Sequence, residues 1–199
     1  TSCAAASPVS WSMEAVNHLG VFPVGPENFI CALLEWSGRG RVVPVWLPPV
    51  EGAQLAARLE DWSPRRPSAH DAMAELIAAA TSGAAGINLI SYHNGAFVAE
   101  LLLEDATSVD LRASDALLLA AILDVPLQAE EAVLQQASIY LSAADALDYF
   151  GIELEARGGE EPAGGQGSGE DRDQATQDFA EFMRELGVDE DSFGEFDED

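Results

Sequence analysis

The sequence predicts an α+β fold, a twisted mixed or antiparallel sheet carrying about three principal helices and followed by a flexible acidic tail with one short amphipathic helix. Three observations predict it. Hairpin signals join two pairs of strand-like segments, at Ser37-Gly38-Arg39-Gly40 and at Asn94-Gly95. Helix-spaced apolar stripes interrupt the run of strands. Beyond residue 150 the chain turns to Gly, Glu, Pro, Gln and Ser, with too few apolar side chains to offset the entropy of ordering them.

In chain order, residues 1–10 are small and polar and read as a flexible start, and the domain is expected over 11–150. The segments Val16 to Val24, Phe29 to Trp36 and Arg41 to Leu47 are rich in Val, Phe, Ile and Trp and read as strands. Pro48-Pro49 stops the third, and Gly52, Leu55, Ala56 and Leu59 then fall at the spacing of a helix with one buried stripe. Two prolines stiffen the linker Trp62-Ser63-Pro64-Arg65-Arg66-Pro67 and hold its adjacent arginines at a surface. Ser68 and Asp71 form a capping-box pattern ahead of a stripe of Met73, Leu76, Ile77 and Ala80, which places His70 in a first helical turn.

Gly83 to Gly86 end that helix, and strands follow from Ile87 to Tyr92, Ala96 to Leu103 and Ser108 to Arg112. In the last of these, Val109 and Leu111 alternate with Asp110 and Arg112, and Ser114 stands where an N-cap belongs, ahead of the apolar run Ala116 to Leu123. Val125-Pro126-Leu127 reads as extended, 130–137 as a helix, and Ser142 to Phe150 as a helical turn or two. A linker over 151–174 leads to the tail, 175–199, where Phe179, Phe182, Met183 and Leu186 fall at i, i+3, i+4 and i+7 before Gly187.

Charge narrows the function classes. All nine cationic residues are Arg and the formal net charge is −26. Residues 152–199 hold 17 acids and 3 Arg, net −14, and residues 1–151 hold 18 acids and 6 Arg, net −12. Such a chain gains no long-range steering toward a polyanion, so a nucleic-acid contact needs a local Arg cluster or a bound cation. Cys3 and Cys31 are too few for a disulfide framework, and no zinc-type spacing accompanies them. No signal-peptide pattern opens the chain, and its apolar runs fall below the roughly 20 residues of a membrane span. A cytoplasmic protein that spans no membrane is expected. The tail helix has an acidic polar face, which suits docking on this chain or on a protein partner better than on an anionic membrane.

The chemistry concentrates at the strand-to-helix passage Val109 to Ala116, which carries Asp110, Arg112 and Asp115. Read from residue types alone, it is a capped buried helix with Asp115 complementing the dipole and Arg112 paired to a neighbouring carboxylate. His70 alone reads as a helix-cap or surface histidine.

Several segments taken together resemble the bifunctional nuclease domain family, whose name associates it with cleavage of RNA and DNA. The resemblance is carried by Val43-Pro44-Val45-Trp46-Leu47 leading into Glu51-Gly52-Ala53, by Arg66-Pro67-Ser68-Ala69-His70-Asp71, by Phe97-Val98-Ala99, and by Asp110-Leu111-Arg112-Ala113-Ser114-Asp115-Ala116 through Ala121. The tail from Phe179-Ala180-Glu181-Phe182 to Phe193 is similar to the acidic C-terminal segment of actinobacterial-type members. Ala69 replaces the usual Thr, Ala113 the usual Pro, and Pro48 stands where a Gly is common. The first of these removes a hydroxyl beside His70.

The resemblance implies a nuclease, a hydrolase acting on DNA, RNA or both. Metal-assisted phosphodiester hydrolysis needs oxygen ligands for Mg²⁺ or Mn²⁺, a proton-transfer group and a cation to offset phosphate charge. The candidate catalytic residues are His70, Asp71, Asp110 and Asp115; the candidate metal ligands are Glu51, Asp71, Asp110 and Asp115; the candidate phosphate clamps are Arg66 and Arg112. A homodimer is expected from the family and from apolar strands whose edges need cover. The alternative is a non-catalytic regulatory or protein-interaction module, and a further one is an acidic surface that mimics nucleic acid. If the tail lies near Arg65, Arg66 or Arg112, it competes with a polyanion for those cations.

Overall fold

A computed structural model describes residues 12–24, 28–141 and 143–152. The expectations for the first ten residues, the linker and the acidic tail lie outside the described residues. One eight-stranded sheet carries five helices: β1 (Met13–Val24), β2 (Phe29–Trp36), β3 (Arg41–Leu47), α1 (Pro49–Leu59), α2 (Ala69–Ala80), β4 (Ala84–His93), β5 (Ala96–Leu103), β6 (Ser108–Arg112), α3 (Ala113–Leu123), β7 (Leu127–Glu130), α4 (Glu131–Ala137), β8 (Ile139–Tyr140) and α5 (Ala143–Phe150). The α+β expectation holds, with α1, α2 and α3 as the three principal helices.

The strand order is β6-β5-β4-β7-β1-β2-β3-β8, and every neighbouring pair is antiparallel except β4 with β7, so the sheet is mixed. The long first strand joins the two halves. Met13 to Ala15 pair with β7, and Val16 to Val24 pair with β2, with an irregularity between His18 and Gly20. Turn chemistry sets the β4–β5 hairpin, where Asn94 (φ 50°) and Gly95 (φ 82°) both take the positive φ that a type I′ turn requires.

Strands β2 and β3 are buried on both faces. Ala32, Leu34, Trp36, Val43, Val45 and Leu47 face the main core, while Cys31, Leu33 and Val42 face a second cluster with Leu141 and Ala146 under α5. Burial pushes the Cys31 thiol up to about 12. The main core centres on α3, whose Ala116 to Ala120 are all buried, as a helix apolar all round must be. Both α1 and α2 pack on α3, which also rests on β4, β5 and β6. It stops at Asp124 in the left-handed conformation (φ 52°, ψ 47°), followed by Pro126.

Two local expectations are overturned. Ser114 is not an N-cap: α3 begins two residues earlier than that cap would start it, Arg112 holds the cap position without a side-chain cap bond, and Ser114 is buried as the second helical residue. The stripe on α2 is largely uncovered, since Ile77 is buried but Met73 is 38% exposed, Leu76 63%, and Ala80 is exposed. Among the described residues no helix is long and apolar enough to cross a membrane.

Candidate active site

Helices α1, α2 and α3 each carry an acid at the third helical position, namely Glu51, Asp71 and Asp115. An acid there complements the partial positive charge of an N-terminus. Here the three do different things, because contacts between the helices bring their first turns together.

Arg112, the last residue of β6, is the hub. Its Nε donates to Asp115 Oδ2 at 2.7 Å and its Nη2 donates to Asp115 Oδ1 at 3.0 Å, a bidentate pair across one helical turn. The same Nη2 lies 3.6 Å from Glu51 Oε1 on α1. Asp115 also meets His70 Nε2 at 3.0 Å, so the first turn of α2 is tied to that of α3. Glu51, His70 and Asp115 side chains are mostly covered, while Arg112 is 67% exposed. The cluster therefore shows its guanidinium to solvent and keeps its carboxylates and imidazole behind it.

The hydrogen bond from Arg112, with smaller help from His70, holds the Asp115 carboxyl below the usual carboxylate range, and the Asp115 carboxylate in turn raises Arg112. Against an ionised Asp115, the His70 Nε2 is the donor in their contact. A neutral His70 ring then carries its lone pair on Nδ1, the atom able to accept a proton. The arrangement can thus present a cation to an anion beside an oriented imidazole.

The structure sorts the expected site residues. His70, Asp115, Arg112 and Glu51 come together. Asp71 does not join them: its Oδ2 accepts from the Ser68 amide and hydroxyl at 2.7 Å each, completing the capping box, and its Oδ1 pairs with Arg58. Desolvation is the largest influence on the Asp71 carboxyl and raises it, yet the Ser68 bonds and Arg58 together leave it lowered. Asp110 is exposed on the edge strand opposite Glu100, whose carboxylate accepts from Asn88 at 3.0 Å. Arg65 and Arg66 are exposed, and among the described residues neither has a hydrogen bond or ion pair. Sequence reasoning missed Arg58; its place in the last turn of α1, two residues before a stop and just ahead of an acid-capped helix, was the available signal.

A divalent cation fits this arrangement poorly. Among the described residues no three His, Cys, Asp or Glu side chains stand close enough to share an ion. Of the four carboxylates expected as ligands, Glu51 and Asp115 are near one another's partner, and the cation between them is the Arg112 guanidinium. Asp71 is committed to Ser68 and Arg58.

A family model, the bifunctional nuclease domain, matches residues 32–142 of this chain, which takes in all four clustered residues. Two uncharacterized proteins of Mycobacterium tuberculosis, one each from strains CDC 1551 / Oshkosh and ATCC 25618 / H37Rv, are each 31% identical over 129 residues. That stretch is 65% of this chain and 79% of the relative in each case.

Proposed function

The chain belongs to the bifunctional nuclease domain family, and on that premise we propose that it cleaves phosphodiester bonds in RNA, DNA or both at the His70, Asp115 and Arg112 cluster. The observation that carries this reading is the His70 to Asp115 contact at 3.0 Å beside a solvent-facing Arg112. A phosphate draws Arg112 from its two carboxylates by charge-assisted, bidentate bonding, with Arg66 as a second contact. The freed Asp115 carboxylate then acts on His70 alone, orienting the ring and stabilising the imidazolium. Nδ1 of His70 accepts the proton of the attacking oxygen as that oxygen bonds to phosphorus and the bond from phosphorus to the leaving sugar oxygen breaks. The leaving oxygen is protonated by solvent.

The Mg²⁺ or Mn²⁺ site expected from Glu51, Asp71, Asp110 and Asp115 has no part in this route, since among the described residues no three of these side chains stand together. The expected homodimer remains part of the reading through the open edge of β6, where Ser108, Val109 and Asp110 are exposed. Sedimentation at micromolar concentration checks it. A second reading, a non-catalytic interaction module, is favoured by Asp115, whose two oxygens are both already bonded within the fold.

The deciding experiment is cleavage of single- and double-stranded RNA and DNA by highly purified protein, with Mg²⁺, Mn²⁺ or a chelator, for the natural chain and for His70→Ala and Asp115→Asn. Activity that travels with the protein and is lost in both variants supports the nuclease. Activity that separates from the protein on purification, or is equal in the folded variants, refutes it.

A further inference from the structure

On the outward side of α2, Ala69, Ala72, Met73, Leu76, Ala79 and Ala80 are all exposed. At 100° per residue they fill an arc of about 120° with no charge in it, turned away from the covered His70, Ala74 and Ile77. An uncharged helix face of this width normally packs on something. Just before it, in the α1–α2 connection, stand Arg65 and Arg66, exposed and, among the described residues, without an acidic partner, in a chain of net charge −26. Trp62, 58% exposed, lies in the same connection.

We propose that this face binds the chain's own C-terminal segment, with Phe179, Phe182, Met183 and Leu186 against Met73 and Leu76, and the flanking acids against Arg65 and Arg66. The apolar spacing of that segment matches the need of α2, and its charge matches that of the connection. Asp178, Glu181 and Glu185 lie among or beside the four apolar residues, and residues 152–199 carry a net −14. Reach is not limiting. The 26 residues from 153 to 178 extend to at most about 90 Å, and a domain of this size is roughly 40 Å across. Tethering raises the local concentration of the segment to the millimolar range, enough to favour a contact too weak to form between separate molecules.

The test is cross-linking within the full chain and needs no enzymatic activity. With Cys3→Ser as background, Met183→Cys is paired with Leu76→Cys or, as a control, with Leu147→Cys, exposed on α5 across the sheet from the core that α2 joins, and a short bis-maleimide is added to dilute protein. The expected result is an intramolecular product at Leu76 at least about tenfold faster than at Leu147, slowed several-fold by Arg65→Glu with Arg66→Glu. Met183→Cys and Leu76→Cys alter exposed or tail positions, and circular dichroism checks that the fold is kept. Equal rates at the two positions, or a product only between two chains, overturns the proposal. The cleavage assay fails or succeeds independently of this result.

Discussion

Gly52 lets α1 lie close to the sheet, and replacing it by alanine shows what that closeness is worth. A Cβ at Gly52 falls 2.3 Å from Ile30 Cγ2 and 3.1 Å from Ile30 Cβ, whereas carbons rest at about 3.5–4.0 Å. The obstacle sits on a β-branched residue with a stiff χ1, so the side chain cannot simply swing aside. Relieving the overlap moves the start of α1, and with it Glu51, outward. Overpacking of this kind costs about 3 kcal/mol at the upper end of its usual range, and the helix gain of Ala over Gly returns about 1 kcal/mol. A net loss of about 2 kcal/mol corresponds to a fall in Tm of roughly 8 °C for a domain of this length. Urea unfolding followed by circular dichroism measures it. Ile30→Ala removes Cγ2 and by itself costs about 2 kcal/mol, as a half-covered isoleucine. The double variant must then be more stable than the sum of the two losses allows, by about 1–2 kcal/mol. Losses that add to within about 0.5 kcal/mol refute the steric account.

Other outcomes follow from the same contacts. His70→Ala and Asp115→Asn reduce cleavage by about 10²–10⁴-fold, the usual worth of a proton-transfer group, whereas Asp71→Asn, which disturbs a capping box, lowers Tm and leaves the rate per folded molecule within a few-fold; equal rate losses for Asp71 and His70 would contradict the division of roles. Burial lowers His18 from its ordinary 6.5, so it is neutral in both states at higher pH. As the pH falls below 6.5 the unfolded chain takes up a proton that the folded chain does not, and stability declines until the folded His18 also titrates; His18→Leu flattens this part of the curve, and an unchanged slope speaks against it. Asp71 and Asp115, both lowered from 3.8, contribute stability above that value that is lost as the pH falls through their folded titrations, a separate and more acidic window. Cys31, buried with its thiol raised to about 12, should resist maleimide at pH 8 in the folded protein and react only on unfolding; prompt modification in native buffer would disprove its burial.

Much of the fold was legible because it rests on local chemistry. Asn94-Gly95 needs positive φ at two residues and obtains it, Ser68 and Asp71 close a capping box, and Pro48-Pro49 separates β3 from α1. Choices between near-equal local options were not legible. Helix α2 has Ala at six of its twelve positions, so its periodicity sets a spacing without saying which side meets the core, and Ile77 and the tie from His70 to α3 decide it. Ser114 has the right type for a cap, yet α3 starts two residues earlier, beside the Arg112 to Asp115 pair, and Ser114 goes inside. The pairing of Met13 to Ala15 with β7 and the two-residue β8 depend on partners more than 90 residues away. In the site, residue types and the family resemblance named His70, Asp115, Arg112 and Glu51 together with Asp71 and Asp110, and the contacts join the first four while Asp71 caps its own helix, because spacing along the chain does not tell an acid that caps its own helix from one that faces another.

The body's six arginines explain how an acidic protein of this family could still meet a polyanion. Arg39 lies over the Trp36 ring at 5.3 Å, Arg41 is held by Ser138, and Arg58 by Asp71. Among the described residues that leaves Arg65 and Arg66 without a hydrogen bond or ion pair and Arg112 shared with two carboxylates. All three belong to the α1–α2 connection or the start of α3. Two to three phosphate contacts give a weak salt dependence, with affinity falling about 10–40-fold between 50 and 200 mM salt. In the proposed reading that count makes binding weak and leaves selectivity to the reaction step: a phosphate that takes Arg112 also releases Asp115 to His70, so the interaction that would hold the substrate is the one that would prepare the base.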